Sequence, residues 1–455
     1  MNDILLKYNR PGPRYTSYPP ANFFNSGFTS GDYRQSVLDS NHEQPHNISI
    51  YIHIPFCPRL CHFCGCNTGI AKEKNHIERY VRALIREIRT VSALIDKNRP
   101  VTQVHWGGGT PNSIPFEYIE EIMAMLKDEF LFSPKAEVAM ECSPAYLTHD
   151  HIDMLTRVGF NRISLGVQDF HAEVLQAVNR LSSLLPMEEL FAHLRANHFN
   201  SINIDLIYGL PRQTPEIFAD NITQALALSP DRLVTFSYAH VPWVNKAMEK
   251  LEKIGLPTTE EKFHLFEMAY GMLISNGYVP IGLDHYAKPT DDLAVALQEH
   301  KLHRNFQGYC TRETTGQVYA FGSSGISQLW NAYSQNIKNY EQYIEAVENK
   351  GMAIERGYHL KPEEIMVREV INAVMCNGVL DFKETASQFG LTADELKSAL
   401  RFSPEKLDEF IEDDLLELND NGIQVNRQGM LVVRNIAMAF DPQLDVKQGM
   451  YSKTI

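Results

Sequence analysis

The sequence predicts an α/β protein built around a parallel sheet with crossover helices. Between about residue 48 and residue 240, short β-branched runs alternate with longer amphipathic stretches, and this alternation repeats six times. Repeated βα units are typical of parallel sheets whose connections are helical. Six units are fewer than the eight of a closed (β/α)8 barrel, so a partial barrel and an open doubly wound sheet both fit the pattern.

The unusual residues of this region lie at the predicted strand ends, which is where active sites lie in both architectures. Strands are predicted at 48–54, 101–106, 136–141, 162–167, 202–208 and 232–238. Helical periodicity fills the gaps, for example at 76–95 and 220–228. The strand-end residues are a cysteine cluster after the first strand, Gly107 to Thr110 after the second, Glu141 ending the third, Gln168 after the fourth and Asp205 in the fifth.

The two ends of the chain follow other patterns. Residues 1–45 are predicted to form an irregular arm, because the segment GPRYTSYPP is too rich in proline and aromatic residues for a regular helix. From about residue 355 the pattern changes to closely spaced helices with a hairpin around 419–422. We therefore predict three parts: the arm at 1–45, the α/β domain and its extension at 46–354, and a mostly helical, winged-helix-like domain at 355–455.

The charge balance argues against a nucleic-acid partner. The chain has 42 Lys and Arg against 56 Asp and Glu, a net charge of -14, whereas phosphate binding needs clustered cations. The segment 382–396 resembles a helix-turn-helix, but residues 355–441 contain nine basic and 17 acidic residues, which favours a lid or packing domain. No run is long and apolar enough for a membrane span or a secretory signal, so we expect a cytoplasmic protein without membrane association.

Cysteine spacing gives the most specific chemical signal. Cys57, Cys61 and Cys64 form a C-x3-C-x2-C loop directly after a predicted strand, and Cys66 follows. Three thiolates from one loop can hold three corners of a [4Fe-4S] cluster and leave the fourth iron open to S-adenosylmethionine. The alternative is a structural zinc site, which usually pairs two separated C-x2-C motifs. The remaining cysteines, Cys142, Cys310 and Cys376, are isolated and are predicted to be core or unreactive surface thiols.

Three further features have alternative interpretations. Gly107 to Thr110 lacks the lysine of a phosphate loop, and its glycines either let the backbone approach a ligand or form a simple turn. Glu141 and Asp205 could bind ribose hydroxyls or cap helices. Residues 42–46 match the zinc-protease pattern H-E-x-x-H, but Pro45 disfavours the helix that this pattern requires.

Several motifs together resemble the oxygen-independent coproporphyrinogen III oxidases. They are YIHIPFCPRLCHFCGC at 51–66, HWGGGTP at 105–111, GVQDF at 166–170, NIDLIYGLP at 203–211, YAH at 238–240 and LHRNFQGY at 302–309. The resemblance extends from GPRYTSYP at 12–19 to RNIAMAFD at 434–441 and to the final YSKTI, so it covers essentially the whole chain. The cysteine motif alone indicates only the radical S-adenosylmethionine superfamily.

The resemblance implies a partial (β/α)6 TIM-like barrel with an N-terminal arm and a helical C-terminal domain. It also implies that two propionates of coproporphyrinogen III become vinyl groups with loss of two CO2, giving protoporphyrinogen IX in haem biosynthesis. A 5′-deoxyadenosyl radical would remove hydrogen from the propionate carbon next to the ring. A low-potential donor such as a flavodoxin or ferredoxin would reduce the cluster, an unidentified acceptor would take the remaining electron, and the chain is expected to be a monomer.

The resemblance also assigns roles to individual residues. Cys57, Cys61 and Cys64 would bind the cluster and Cys66 would not. One S-adenosylmethionine would contact Tyr51, Gly108, Glu141 and Ile326, and a second would contact Phe63, Gly109, Thr110, Gln168, Arg180, Asp205 and Ala239. Tyr51 would have a catalytic role or pack its ring in the barrel, and Arg14 and Arg304 are candidate clamps for substrate carboxylates.

Other functions compete with this interpretation. One is a related haem carrier that keeps the cluster but decarboxylates nothing. Such carriers generally lack the GPRYTSYP arm and the fourth cysteine, and both are present here. A haem-degrading or methyl-transferring radical enzyme is a further alternative. The sequence therefore favours the decarboxylating enzyme.

Overall fold

Six parallel strands in sequence order form the centre of the main sheet. The computed structural model describes residues 2–71, 74–243 and 245–444. The strands are β1 (Ile48–Ile54), β2 (Pro100–Gly108), β3 (Leu131–Cys142), β4 (Arg162–Gln168), β5 (Ser201–Tyr208) and β6 (Arg232–Ser237). A doubly wound sheet reverses its strand order at a switch point, whereas these strands pair in the order β1 to β6. The sheet is therefore the partial (β/α)6 barrel, and all six strand predictions are confirmed.

Further strands extend the sheet on both sides. They are β7 (Val279–Ile281), β8 (His285–Ala287), β9 (Leu302–Asn305), β10 (Gly308–Thr311), β11 (Gln317–Phe321), β12 (Ile326–Gln328), β13 (Ala332–Asn336) and β14 (Ile354–His359). Strand β11 pairs with β1 in parallel, β12 to β14 follow it in antiparallel order, and β8 and β7 are added beyond β6. Strands β9 and β10 form a separate hairpin. Because β14 and β7 are the two edges of the twelve-stranded sheet, the barrel is open.

Helices follow the strands and supply the outer layer. Those up to residue 350 are α1 (Asn2–Lys7), α2 (Ser30–Asp39), α3 (Lys74–Ser92), α4 (Phe116–Glu129), α5 (His149–Val158), α6 (Ala172–Ala177), α7 (Met187–Ala196), α8 (Pro215–Leu228), α9 (Glu249–Ile254), α10 (Thr259–Ser275), α11 (Asp292–Gln298) and α12 (Tyr340–Lys350). Helix α5 shows how sequence sets the bounds: Thr148 caps its first turn, and Gly159, with a φ of 101°, ends it.

Strand alternation separates an apolar outer face from a polar interior. In β4, Ile163, Leu165 and Val167 are buried against the helices, whereas the residues between them are partly accessible. Side chains along a strand point alternately to the two faces of the sheet. The interior of the partial barrel is therefore lined by polar residues such as Arg162 and Ser164.

The N-terminal region is more regular than predicted. GPRYTSYPP contains no helix, as expected, but α2 at Ser30–Asp39 was missed. A capping box between Thr29 and Asp32 starts this helix, and Tyr33 and Val37 bury one of its faces. The H-E-x-x-H pattern at 42–46 is not helical beyond a single 3-10 turn at Ser40–His42, so the disfavoured zinc-protease interpretation has no structural support.

The C-terminal region contains the predicted helices and hairpin. Its elements are α13 (Pro362–Asn377), β15 (Val379–Asp381), α14 (Phe382–Ser387), α15 (Ala393–Ala399), α16 (Asp408–Glu412), β16 (Leu416–Leu418), β17 (Gly422–Val425) and α17 (Val433–Met438). Strands β15, β17 and β16 form a small antiparallel sheet beside the helices, which is the winged-helix-like arrangement expected. Residues 445–455, including YSKTI, lie outside the described residues.

The division at 1–45, 46–354 and 355–455 remains a proposal. Strand β14 pairs with β13 in the main sheet, and the C-terminal helices begin after it at α13. Within the described part of the chain, no helix is long and apolar enough to cross a membrane.

One buried carboxylate joins α3 to the additional strands beside β1. Glu87 is 2% exposed and accepts hydrogen bonds from the Gly322 amide at 2.9 Å, the Asn336 side chain at 2.7 Å and the Tyr343 hydroxyl at 2.6 Å. Burial raises the pKa of Glu87 to about 7, although all three hydrogen bonds favour the charged form.

This carboxylate should make stability depend on pH. The folded chain binds the Glu87 proton more tightly than the unfolded chain, whose pKa has the ordinary value of 4.5. Its stabilising contribution is therefore complete below pH 4.5 and is lost as the pH rises through 7. The difference between the folded and unfolded pKa values corresponds to about 3 kcal/mol of unfolding free energy. Relative to Glu87→Gln, the wild-type free energy of unfolding should fall by this amount between pH 4.5 and 8, measured by denaturant titration.

The exposed Glu78 of the same helix offers a matched control. Glu78→Gln should follow the wild-type pH dependence. Parallel curves for wild type and Glu87→Gln would contradict the assignment of this titration to Glu87.

Candidate active site

A loop that follows β1 carries the cysteine cluster, and backbone hydrogen bonds hold it against β2. The Gly109 amide donates to the Ile54 carbonyl at 2.7 Å, and the Thr110 amide donates to the Phe56 carbonyl at 2.9 Å. At the other end of the loop, the Cys57 amide donates to the Gly69 carbonyl at 3.0 Å. The glycine motif therefore supports the backbone that presents the first cysteine.

The cysteine loop covers a cavity at the carboxyl ends of the strands. This cavity measures about 890 Å³ and is partly open to solvent. It brings together most of the residues predicted from the sequence: Cys57, Cys61, Cys64, Phe63, Gly108, Gly109, Thr110, Glu141, Gln168, Arg180 and Asp205. These residues come from the loop, from β2 to β5 and from the segment after α6, as expected where parallel strands end at one edge.

Two glycines are required by close packing. Gly108 has a φ of +109°, and a Cβ atom there would lie 2.5 Å from Cε1 of the His53 ring. A Cβ atom on Gly109 would lie 2.7 Å from the Phe56 carbonyl oxygen. A larger residue at either position would collide with β1 or with the start of the cysteine loop. The two glycines therefore leave backbone exposed to the cavity.

The environments of the four clustered thiols differ. Hydrogen bonds from the side chain and amide of Cys66 lower the pKa of Cys64 to about 6, and the charge of Arg180 adds to this effect. Burial raises the pKa of Cys57, although Thr110 donates to its sulfur at 3.3 Å. Arg180 also donates to the sulfur of Cys61 at 3.5 Å. Cationic and hydroxyl donors therefore face the three thiols of the motif, as thiolate ligands require.

The donor set fits an iron-sulfur cluster. Within residues 2–71, 74–243 and 245–444, no three His, Cys, Asp or Glu side chains are close enough together to hold a single metal ion. In a [4Fe-4S] cluster each thiolate binds a different iron atom, so its ligands lie further apart. Cys57, Cys61 and Cys64 line the same cavity and could provide three such ligands.

Aromatic and acidic side chains of β1, β2 and β3 form a connected group below the cysteines. The Tyr51 hydroxyl lies 3.2 Å from Nδ1 of His53, and the Tyr51 ring stacks on His105 with centroids 6.0 Å apart. Nε2 of His105 lies 2.9 Å from the Glu141 carboxylate. Burial alone would raise the pKa of Glu141, but the hydrogen bond and charge of His105 lower it overall, so Glu141 is an anionic hydrogen-bond acceptor.

Polar groups of β4 and β5 form the opposite wall. Asp205 accepts hydrogen bonds from Ser164 at 2.8 Å and Asn203 at 2.7 Å, while burial raises the pKa of its carboxyl group. Gln168 has a φ of 71°, and its buried side-chain oxygen has no hydrogen-bond partner among the described residues. A buried acceptor without a partner is costly, and a ligand with hydroxyl or amino groups could satisfy it.

Some predicted residues lie outside this cavity. Tyr51 is behind its wall, Ala239 is exposed in the loop after β6, and Ile326 begins β12 and packs near Tyr333. Arg14 and Arg304 lie together elsewhere, since Nη1 of Arg304 donates to the Arg14 carbonyl at 3.3 Å. Cys142, Cys310 and Cys376 are buried, which is the core alternative of the two given above, although Cys142 also lines the cavity.

Several residues of the site were not predicted from the sequence. His53 and His105 belong to it, and Thr68, Tyr146 and Asn179 line the cavity. The histidines could have been found from strand alternation, because His53 lies two residues after Tyr51 and His105 two residues before Gly107. The other three follow no pattern, because loop geometry alone brings them to the cavity.

A second cavity continues from the first into the barrel interior. Together with its solvent-open part it encloses about 920 Å³, and it shares Glu141, Ser164 and Asp205 with the first. Gln307 and Tyr309 of the β9–β10 hairpin form part of its lining. A ligand in this interior would therefore lie below a ligand bound at the cysteine loop.

Comparisons with known proteins agree with this architecture. The model described as "Radical SAM superfamily" matches residues 51–224, and the one described as "HemN C-terminal domain" matches residues 360–432. An "Oxygen-independent coproporphyrinogen III oxidase" of Synechocystis sp. is 39% identical over 100% of this chain and 97% of its own length. A protein of the same description from Salmonella typhimurium is 41% identical, covering 98% of this chain and 96% of the relative.

A solved structure extends the similarity to three dimensions. The structure titled "Coproporphyrinogen III oxidase (HemN) from Escherichia coli is a Radical SAM enzyme" matches with a TM-score of 0.90 and 39% identity, covering 97% of this chain and 98% of that one. Similarity therefore spans the arm, the barrel and the C-terminal domain. With this full-length similarity and with three cysteines gathered at the strand ends, the chain belongs to the oxygen-independent coproporphyrinogen III oxidases of the radical S-adenosylmethionine superfamily.

Proposed function

We propose that the chain converts coproporphyrinogen III to protoporphyrinogen IX in haem biosynthesis without oxygen, by oxidative decarboxylation of two propionates. The observation that carries this proposal is the cysteine-lined cavity, which continues into a polar barrel interior. A radical formed at the cysteine loop would meet a substrate held below it. The full-length relatives carry the name of this reaction.

The cysteine loop would hold the cofactors. Cys57, Cys61 and Cys64 would bind a [4Fe-4S] cluster, and Cys66 would remain a hydrogen-bond donor to Cys64. When bound, the cluster and S-adenosylmethionine would supply the 5′-deoxyadenosyl radical that removes hydrogen from a propionate side chain. Arg180 would stabilise the thiolates through its contact with Cys61.

The walls of the cavity would hold two molecules of S-adenosylmethionine. We assign Gly108 and Glu141, with Tyr51 and Ile326 from outside the cavity lining, to one molecule. We assign Phe63, Gly109, Thr110, Gln168, Arg180 and Asp205, with Ala239 from the loop after β6, to the other. The carboxylates of Glu141 and Asp205 would accept hydrogen bonds from ribose hydroxyls, and the unpaired oxygen of Gln168 would accept another. Tyr51 would orient the reacting groups through His53, which its hydroxyl contacts.

The remaining partners follow from this reaction. A flavodoxin or ferredoxin would reduce the cluster, a separate acceptor would take the electron left by each decarboxylation, and the chain would act as a monomer in the cytoplasm. Arg14 and Arg304 would bind substrate carboxylates.

The first prediction from this proposed function concerns the cluster ligands. After anaerobic reconstitution, Cys57→Ser, Cys61→Ser and Cys64→Ser should each lose most bound iron and sulfide, because a missing thiolate removes one corner of the cluster. Cys66→Ser is the matched control from the same loop and should keep the cluster. Iron and sulfide analysis with absorbance spectroscopy gives the answer, and a Cys66 variant without cluster would refute the ligand set.

A second prediction concerns the number of S-adenosylmethionine molecules. Equilibrium dialysis of the anaerobic, unreduced holoenzyme should approach two per chain. Asp205→Asn should lower this number towards one, because the variant loses a charged acceptor in the cavity. Asp292→Asn, at an exposed position outside the cavity, should leave it at two. Saturation of the wild type at one molecule would contradict the two-site proposal.

The third prediction is the reaction. With coproporphyrinogen III, S-adenosylmethionine, a low-potential reductant and an electron acceptor, the anaerobic enzyme should form protoporphyrinogen IX through a three-propionate intermediate. Methionine and 5′-deoxyadenosine should form in step with CO2. Chromatography of the oxidised porphyrins measures the products. Cleavage of S-adenosylmethionine without protoporphyrin, together with tight haem binding, would instead identify a haem carrier.

The same assay tests the role of Tyr51. Tyr51→Phe keeps the ring that stacks on His105 but removes the hydroxyl that contacts His53. Loss of this hydrogen bond should lower turnover about tenfold while the cluster content is unchanged. Full activity would mean that the ring only packs in the barrel.

A further inference from the structure

Three arginines from distant segments meet beside the barrel interior. Arg14 belongs to the N-terminal arm, Arg304 to β9 and Arg434 to α17. Nη1 of Arg304 donates to the Arg14 carbonyl at 3.3 Å. Burial, followed by the charges of Arg304 and Arg14, lowers the pKa of Arg434 to about 10. The three positive charges therefore repel one another, and each disfavours the charged form of the others.

These three cations have no carboxylate partner of their own. Among the described residues, no Asp or Glu oxygen lies within ion-pair distance, 4.0 Å, of Arg14, Arg304 or Arg434. Asp284 is the acidic group that acts on Arg304 and Arg434, and it already binds His285 at 2.6 Å. The cluster therefore carries an excess of positive charge in a chain whose net charge is -14.

The arginines inside the barrel are different. Arg162 binds Glu137 at 2.8 Å, and Arg232 binds Asp291 at 2.8 Å. Both are neutralised within the chain and hold structure together. Arg14, Arg304 and Arg434 are instead available to an anion.

Unpaired donors point to the same conclusion. The Nε atoms of Arg304 and Arg434 and the hydroxyl of Tyr309 are buried and have no hydrogen-bond partner among the described residues. Buried donors of charged groups are costly when they remain unpaired. Three such donors in one cluster indicate that it is complete only with a ligand that accepts hydrogen bonds.

The cluster adjoins the substrate cavity. The Arg304 guanidinium lies over the Tyr309 ring, with Cζ 5.1 Å from its centroid. Tyr309 and its ring partner His285, 5.2 Å away, both line the barrel interior. Gly282 makes this packing possible, since a Cβ atom there would overlap the Tyr309 hydroxyl. Arg304 therefore packs directly against Tyr309 of the cavity wall, within the β9–β10 hairpin.

We propose that Arg14, Arg304 and Arg434 form a carboxylate-binding site that holds propionate groups of the substrate while another propionate reacts. This inference rests on the proposed function and adds Arg434 and the location of the site. Coproporphyrinogen III has four propionates, of which one reacts at a time, so at least two others must be accommodated as anions at every step. Guanidinium groups bind carboxylates through paired N–H donors, which suits this task.

Binding of coproporphyrin III tests the site independently of turnover. This oxidised porphyrin has the same four propionates, does not react, and can be followed by fluorescence with the anaerobic holoenzyme. Arg304→Gln and Arg434→Gln should each raise its Kd about tenfold, as expected for one lost charge-assisted pair. Deuteroporphyrin IX, with two propionates, should bind the wild type more weakly than coproporphyrin III does. Its Kd should also differ less between the wild type and the variants. Added salt should weaken wild-type binding more than binding to Arg434→Gln.

Two further variants keep the test decisive. Arg14 is exposed, so Arg14→Gln should fold normally and should also weaken binding even if a buried variant misfolds. Arg79→Gln removes the same charge from an exposed residue that binds Glu348, and its Kd should equal that of the wild type. Iron content and S-adenosylmethionine binding should be unchanged in all four variants.

The outcomes separate the two proposals. A wild type that neither binds coproporphyrin III nor converts coproporphyrinogen III would overturn the proposed substrate and this site with it. A wild type that binds and converts the substrate, with Arg14, Arg304 and Arg434 variants that bind equally well, would overturn the site alone. Equal weakening by Arg79→Gln would overturn it too, because it would show only a general effect of charge.

Discussion

The backbone pairing between the cysteine loop and the end of β2 is the interaction on which the site depends. The amides of Gly109 and Thr110 donate to carbonyls on either side of Pro55, so the loop leaves β1 in a fixed direction. Only a glycine at 109 leaves room for this approach. Since β1 and β2 are parallel neighbours, the same pairing brings Cys57 to the edge where β3, β4 and β5 also end. The position of the cysteine loop is thus a consequence of sheet topology.

Polarity inside the barrel is the second constraint, and it carries a cost. Polar side chains line the cavity where apolar ones would pack at lower cost; they are Glu141, Asp205 and Gln168. Burial raises the pKa of Asp205. His105, Ser164 and Asn203 compensate by hydrogen bonding to the two carboxylates. The oxygen of Gln168 is left unpaired. Polar groups that are only partly satisfied within the chain are expected where a ligand completes them.

The sequence predicts the repetitive parts of this structure well. Strand runs and helical periodicity gave all six barrel strands, because each unit buries a local apolar pattern. The choice between a partial barrel and a doubly wound sheet needed strand order, which periodicity does not contain. Most cavity residues were found from strand-end positions and motif resemblance, whereas Tyr146 and Asn179 were missed because loops bring them in. Ala239 and Ile326 were named from resemblance alone, and neither lines the cysteine cavity.

The arm shows why long-range contacts escape sequence reasoning. Its tyrosines, Tyr15 and Tyr18, both donate to Asp441 at 2.9 and 3.0 Å, and Tyr8 stacks on Phe410 at 4.9 Å. These pairs join segments about four hundred residues apart, and no local pattern specifies them. They nevertheless determine where the arm runs, and therefore where Arg14 meets the β9 hairpin. Contacts between the C-terminal region and the arm thus help to hold the segment whose Arg14 carbonyl accepts a hydrogen bond from Arg304 of β9.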